Sequence, residues 1–303
     1  MKKFTLDDMP QMSDKVAIVT GANSGLGFYT ALGLASADCK VILACRNEHK
    51  AKIAIDDIKS RIPDAKLDFI ALDLASLESV AGFIKAWQVR KEQKLDILIN
   101  NAGVMNLPNR TLTKNGFEMQ FGTNHLGHFA LTIQLLPFLK QAKAPRLIVM
   151  SSMAAYYGKI KLDNLNSEKS YSPMKAYSQS KLANLIFALT LAKKEPWLTS
   201  LAVHPGIAYT DIQRYNKGIF GIIMRSIPKI VGQSVEDGAL PSLYTASSKA
   251  VVSGKFYGPE GKGPMSLPNK GSAIEVAIPK HALDDKTAKS LWKLSAKLTN
   301  ISI

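Results

Sequence analysis

Between residue 15 and about residue 250 the chain alternates short apolar runs with helix-length segments, and this alternation restricts the fold more than any other feature. KVAIVT (15–20), KVILAC (40–45), LDFIAL (67–72), LDILIN (95–100), RLIVMS (146–151) and LTSLAVH (198–204) are strand-like. They are nearly continuous in apolar residues, which is the pattern of strands covered on both faces. Helical patterns fill the intervals at about 25–37, 47–61 (stopping before Pro63), 76–90, 116–142 and 175–194. Strands alternating with helices need crossover connections, so the strands run parallel and helices lie on both faces. The expected fold is α/β: a doubly wound parallel sheet of about seven strands, forming one domain over residues 1–303.

The remaining segments add detail. Residues 1–14 form an N-terminal extension in which two lysines precede Asp7 and Asp8, without an apolar run of signal-peptide length. The longest apolar stretch, LANLIFALTLA at 182–192, is too short for the roughly 18–20 residues of a membrane span and reads as a core helix. No stable membrane insertion is expected. Cys39 and Cys45 read as buried thiols in a reducing, cytoplasmic setting. Neither these cysteines nor His125, His128 and His204 show metal-ligand spacing. Residues 207–235 are irregular and read as a substrate flap, and 259–271 (PEGKGPMSLPNKG) as a turn-rich loop. Asp284 and Asp285 open a helix to about 298. Its Leu291, Leu294 and Leu298 share one face, which docks on the core or, as a second reading, on a membrane surface. The formal charge of +15 is scattered, and reads as a lysine-rich solvated surface without a nucleic-acid partner. Monomer and homodimer both stay open.

The first strand runs into TGANSGLG, residues 20–27. Glycine allows a tight turn and a close approach of ligand to backbone. The N-terminus of the helix that follows offers unpaired N–H groups and a positive dipole end, which suit a pyrophosphate. The alternative is a turn without a ligand. Arg46 stands after the second strand, where NAD sites usually place a carboxylate for the ribose 2′-hydroxyl. A guanidinium there suits a 2′-phosphate, so NADP(H) is favoured over NAD(H). The alternative is an ion pair between Arg46 and Glu48.

Tyr177 and Lys181, four apart in AYSQSKLANLIF, share one face of a helix. An ammonium beside a phenol lowers its pKa and fits it for proton exchange. Taken alone, this pair recurs by chance on many helices.

The spacing Gly-x-x-x-Gly-x-Gly resembles the cofactor turn of the short-chain dehydrogenase/reductase family. The resemblance extends through NNAG (100–103), TNHLGHF (123–129), MSSMAA (150–155), the Tyr-x-x-x-Lys pair and HPG (204–206). In character it is nearest the retinol dehydrogenase and protochlorophyllide reductase-like branch. It implies a Rossmann fold and an NADP(H)-dependent oxidoreductase that interconverts a carbonyl and an alcohol, on a hydrophobic small molecule. A catalytically silent NADP(H)-binding sensor is the alternative. The resemblance also implies site roles. Ser152 would steady the substrate oxygen, with Ser151 as second choice. Tyr177 would exchange the proton, Lys181 would bind nicotinamide ribose, and Asn124 would support Lys181 through its backbone and a water. Gly21, Asn23, Ser24, Gly25, Leu26, Gly27, Arg46, Asp73, Leu74, Asn101, Ala102, Gly103, Pro205, Gly206 and Thr210 would line the cofactor. Ser152 and Tyr177 stand 25 positions apart, a wider gap than is common in the family. The intervening KIKLDNLNSEKSYSP must therefore loop out for the two hydroxyls to meet.

Overall fold

The computed structural model describes residues 4–92, 94–206, 233–262 and 268–301. In chain order the main elements are β1 (Val16–Thr20), α1 (Gly25–Ser36), β2 (Lys40–Cys45), α2 (Glu48–Arg61), β3 (Leu67–Ala71), α3 (Leu77–Gln88) and β4 (Ile97–Asn100). A helical stretch follows: α4 (Met119–Phe121), a π-helical turn (Gly122–Leu126) and α5 (Gly127–Leu139). Then come β5 (Arg146–Met150), α6 (Pro173–Lys194), β6 (Thr199–Val203), α7 (Val235–Ser247), β7 (Phe256–Lys262), β8 (Pro268–Val276) and α8 (Asp285–Thr299).

The strands form one sheet in the order β3-β2-β1-β4-β5-β6-β7-β8. All neighbours pair parallel except β7 and β8. Successive side chains point to opposite faces, and each face carries its own core. From β1 and β2, Ile18 and Ile42 join Phe83, Phe129, Leu185 and Trp292 on one face. Ala17, Val19, Val41 and Leu43 join Leu34, Ile58 and Leu243 on the other. That double burial is why the strands read as unbroken apolar runs. The N-terminal extension also packs: Met12 is buried, and Phe4, Leu6 and Met9 lie against the second core.

Three expectations change. The sheet has eight strands rather than about seven, because much of the stretch read as a turn-rich loop, 259–271, belongs to the β7–β8 hairpin. Pairing overrides turn propensity here for a local reason. β6 pairs with β7 only at Phe256 and Tyr257, so Pro259 has no strand to bond on that side; on the other it pairs with Ala273 of β8, where the register shifts just after it. Pro268 opens an edge strand, another position that tolerates proline. The helix expected from 116 starts at Met119, since residues 112–118 form a turn closed by the Leu112–Glu118 bridge. The buried Glu118 carboxylate then caps the helix by accepting from the Gln120 and Phe121 amides. In α8 the Asp284 cap is as expected, but the buried face carries Leu291, Trp292, Ser295, Ala296 and Thr299, and Leu298 is exposed. Most of the flap, 207–232, together with Thr210, lies outside the described residues.

Candidate active site

The parallel strands β1 to β6 all end at the same edge of the sheet, and the strand order reverses between β1 and β4. A crevice beyond the carboxyl ends at such a reversal is where open α/β sheets bind ligands. A groove of about 310 Å³ lies there. It is lined by Gly21, Asn23, Ser24, Gly25, Leu26, Gly27, Arg46, Asp73, Leu74, Asn101, Ala102 and Gly103, so β1 to β4 bring that sequence-derived set together.

The turn after β1 leaves no room for side chains at Gly21 and Gly27. Gly21 and Gly25 have φ of +67° and +57°, the left-handed region that favours glycine. A Cβ on Gly27 would stand 2.3 Å from the Gly21 carbonyl oxygen and 2.6 Å from Asn101 Nδ2. Ser24 is the N-cap residue of α1, yet its side chain makes no capping bond. The first N–H groups of α1 are thus left for a ligand, and a pyrophosphate is the group this cradle fits.

Around Arg46 the expected alternative partner is engaged elsewhere: Glu48 pairs with Lys52 at 2.8 Å. Arg46 forms no ion pair among the described residues. Lys50 lines the same end of the groove and was not among the residues singled out from the sequence. Its signal was available, since it follows Arg46 by four positions in the first turn of α2. Asp73 lines the groove while accepting from the Ala75 amide at 3.1 Å, and Ser76 caps α3.

Beyond Gly103 the groove meets a buried polar cluster. A Cβ on Gly103 would lie 3.1 Å from Asn124 Oδ1 and 3.4 Å from Lys181 Nζ. Although 25 positions separate them in sequence, the Ser152 side chain reaches the Tyr177 phenol and favours its ionised form. The extra segment loops out and is pinned to α6, where Gln179 accepts from the Lys161 amide and donates to the Leu165 carbonyl. Ser151 points elsewhere, donating to the Lys181 carbonyl at 2.7 Å. Lys181 Nζ donates to the Met150 carbonyl at 3.1 Å and lies 5.9 Å from the centre of the Tyr177 ring. At the end of β6, Pro205 accepts from Gln233 and Gly206 has φ of +68°, but neither lines the groove.

The electrostatics depart from the sequence expectation. Burial pushes the Tyr177 phenol up to about 12, opposed only by the Ser152 side chain. Burial brings the Lys181 ammonium down to about 7. The lysine therefore does not depress the phenol in the chain by itself. An ammonium held without a carboxylate in a dry site loses much of its own charge.

Asn124 sits on the π-helical turn. Its side chain accepts from the Val104 amide at 2.8 Å and donates to the Val104 carbonyl and to Ser180 Oγ, both at 2.9 Å. The sequence also missed what holds its backbone. The Asn124 carbonyl meets His128 Nδ1 at 2.9 Å, and His128 Nε2 meets Thr20 Oγ1 at 2.9 Å. A carbonyl cannot donate, so Nδ1 carries the proton and Nε2 accepts from the Thr20 hydroxyl. Thr20 Oγ1 in turn accepts from the Asn101 and Ala102 amides, each at 2.9 Å. One buried chain of hydrogen bonds thus ties the end of β1, the NNAG turn and the Asn124 backbone together. His125 and His204 lie apart from it, against Ser295 and the Phe256 ring respectively.

The fold and groove are those of a dinucleotide-dependent α/β enzyme. Residues 15–218 match the short chain dehydrogenase family, and the chain belongs to that family: it is an oxidoreductase that uses a nicotinamide cofactor on a small-molecule substrate. Within the family it is similar to the retinol dehydrogenases. It is 41% identical over 297 residues to retinol dehydrogenase 13 of Homo sapiens, covering 95% of this chain and 85% of that protein. It is 37% identical over 308 residues to retinol dehydrogenase 14 of Mus musculus, covering 96% and 87%. A solved structure of an uncharacterized protein from Mycobacterium paratuberculosis is similar with a TM-score of 0.79, at 36% identity and 99% coverage of both chains. No helix among the described residues is long and apolar enough to cross a membrane.

Proposed function

We propose that the protein interconverts a carbonyl compound and its alcohol with NADP(H), using Tyr177 as acid/base. The observation that carries this reading is the meeting of three side chains at one point: the Ser152 side chain reaches the Tyr177 phenol, and Lys181 Nζ lies 5.9 Å from the centre of the Tyr177 ring. The glycine turn and the α1 N-terminus would hold the pyrophosphate, and Asp73 with Leu74 the adenine. Asn101, Ala102 and Gly103 would line the adenine ribose, with Arg46 and Lys50 on its 2′-phosphate. Lys181 would bind the nicotinamide ribose. Pro205 and Gly206 would shape the nicotinamide end, with Thr210 on its carboxamide. When bound, the nicotinamide supplies the hydride chemistry.

The chain's own residues manage the oxygen and its proton. Ser152 Oγ donates to the carbonyl oxygen and stabilises the charge that develops there. Tyr177, protonated throughout the neutral range because its phenol lies near 12, donates the proton in the reductive direction. Oxidation of the alcohol needs the phenolate instead. An anionic group bound beside Lys181 favours its ammonium, and the ammonium favours that phenolate. The relatives named for retinol support a hydrophobic alcohol or aldehyde as substrate.

Tyr177→Phe is expected to lower turnover about 100-fold or more while NADPH binding stays intact. Unchanged turnover in that variant rejects Tyr177 as the acid/base. The wild type is expected to prefer NADPH by kcat/KM, and Arg46→Ala to narrow the preference; a wild type that prefers NADH overturns the cofactor assignment. Oxidation should accelerate as pH rises through about 7 to 10, since more phenolate forms. Reduction should stay level or slow. Initial rates in both directions check the sign.

A further inference from the structure

A second cavity, of about 790 Å³, lies between the C-terminal half of α6 and the N-terminal half of α8, distinct from the cofactor groove. Its floor is apolar, built by Ile186, Leu189, Ala282, Ala288 and Trp292. Its rim is basic: Lys193, Lys194, Lys289 and Lys293 face a single carboxylate, Asp285. Lys193 already engages Asp285 at 2.9 Å. Lys194 Nζ stands 5.0 Å from the centre of the Trp292 ring. Lys289 and Lys293 form no ion pair among the described residues.

The volume falls within the roughly 300–1,000 Å³ of small-molecule sites. The lining selects what could fill it. A purely apolar occupant makes no use of the lysines, and a small anion leaves the floor wet. An occupant matching both has a long hydrocarbon tail and an anionic head. Ile186, Leu189, Ala282 and Trp292 are buried, so a chain meets them only by entering the concavity, while the exposed Leu283 also lines it. We propose that this cavity binds one long-chain anionic amphiphile of the fatty-acid type, as a free monomer, with its tail on the Leu189–Trp292 floor and its head among Lys289, Lys293 and Lys194.

The test is calorimetric titration of the full NADPH-saturated chain with oleate below its micellar concentration, beside oleyl alcohol and vesicles of phosphatidylserine and phosphatidylcholine. Saturable binding of one oleate per chain is expected, with oleyl alcohol at least tenfold weaker. Lys289 and Lys293 are both exposed, so the double variant Lys289→Glu/Lys293→Glu should keep the wild-type melting temperature. It should weaken oleate at least tenfold and leave NADPH affinity unchanged. Equal oleate affinity in the variant and the wild type places the ligand elsewhere and overturns the proposal. So does binding to the vesicles without binding to monomeric oleate, or no oleate binding at all.

Discussion

Gly27 shows how little freedom single positions around the groove have. The nearest obstacle to a side chain there is backbone, the Gly21 carbonyl, rather than a flexible side-chain end. Gly27→Ala should therefore force the turn apart and weaken NADPH at least tenfold, as fluorescence titration would read, while the far-UV spectrum of the fold persists. The need for glycine was legible because it is local, dictated by a strand running directly into a helix. The part played by His128 was not. Its two partners, Thr20 and the Asn124 carbonyl, stand on different elements, and only one of them is near in sequence. His128→Phe leaves the Asn124 carbonyl without its imidazole donor, at about 1–3 kcal/mol, while the Thr20 hydroxyl keeps the Ile99 carbonyl at 3.4 Å. A drop in denaturant stability of that order is expected, with kcat falling as the Asn124 backbone loosens. A variant as stable and as active as wild type would show the chain of bonds to be dispensable.

At the scale of elements, α8 acts as a clamp over α5 and α6. Trp292 packs edge-on to Phe129, with ring centres 5.3 Å apart, and stacks with Phe187 at 6.0 Å. His125 reaches Ser295 from the π-helical turn. Truncating a buried aromatic costs about 3–5 kcal/mol, so Trp292→Ala should shift the denaturation midpoint by that equivalent; a shift below about 1 kcal/mol would mean that α8 is only loosely docked. The start of this helix was legible from its aspartates, because capping is a contact over three positions. Its buried face was read only in part: Leu291 is buried and Leu294 packs against the core, while Leu298 is exposed and Trp292, Ser295, Ala296 and Thr299 turn inward, a rotation that only the shape of the α5–α6 surface decides. The β7–β8 hairpin eluded the sequence for a related reason: glycine and proline mark turns unless an edge position removes their cost.

Three histidines matter to the molecule as a whole. Burial lowers His125 to about 4 and both His128 and His204 to about 3, against 6.5 in the unfolded chain. Between these values the unfolded state binds more protons than the native state, so stability falls as pH falls. The melting temperature should decline already between about pH 6.5 and 5, above the range where carboxylates with ordinary values titrate. A flat profile over that interval would show that the histidines are not held neutral. By itself the sequence determined the α/β class, most strand and helix positions, the glycine turn between β1 and α1 and the pairing of Tyr177 with Lys181, all of which rest on periodicity or on spacings of a few residues. Tertiary structure alone decided what holds Asn124, that Trp292 turns inward while Leu298 stays exposed, and that burial rather than the nearby lysine governs the phenol. Those depend on distance and desolvation between residues far apart in the chain, which a linear pattern does not encode.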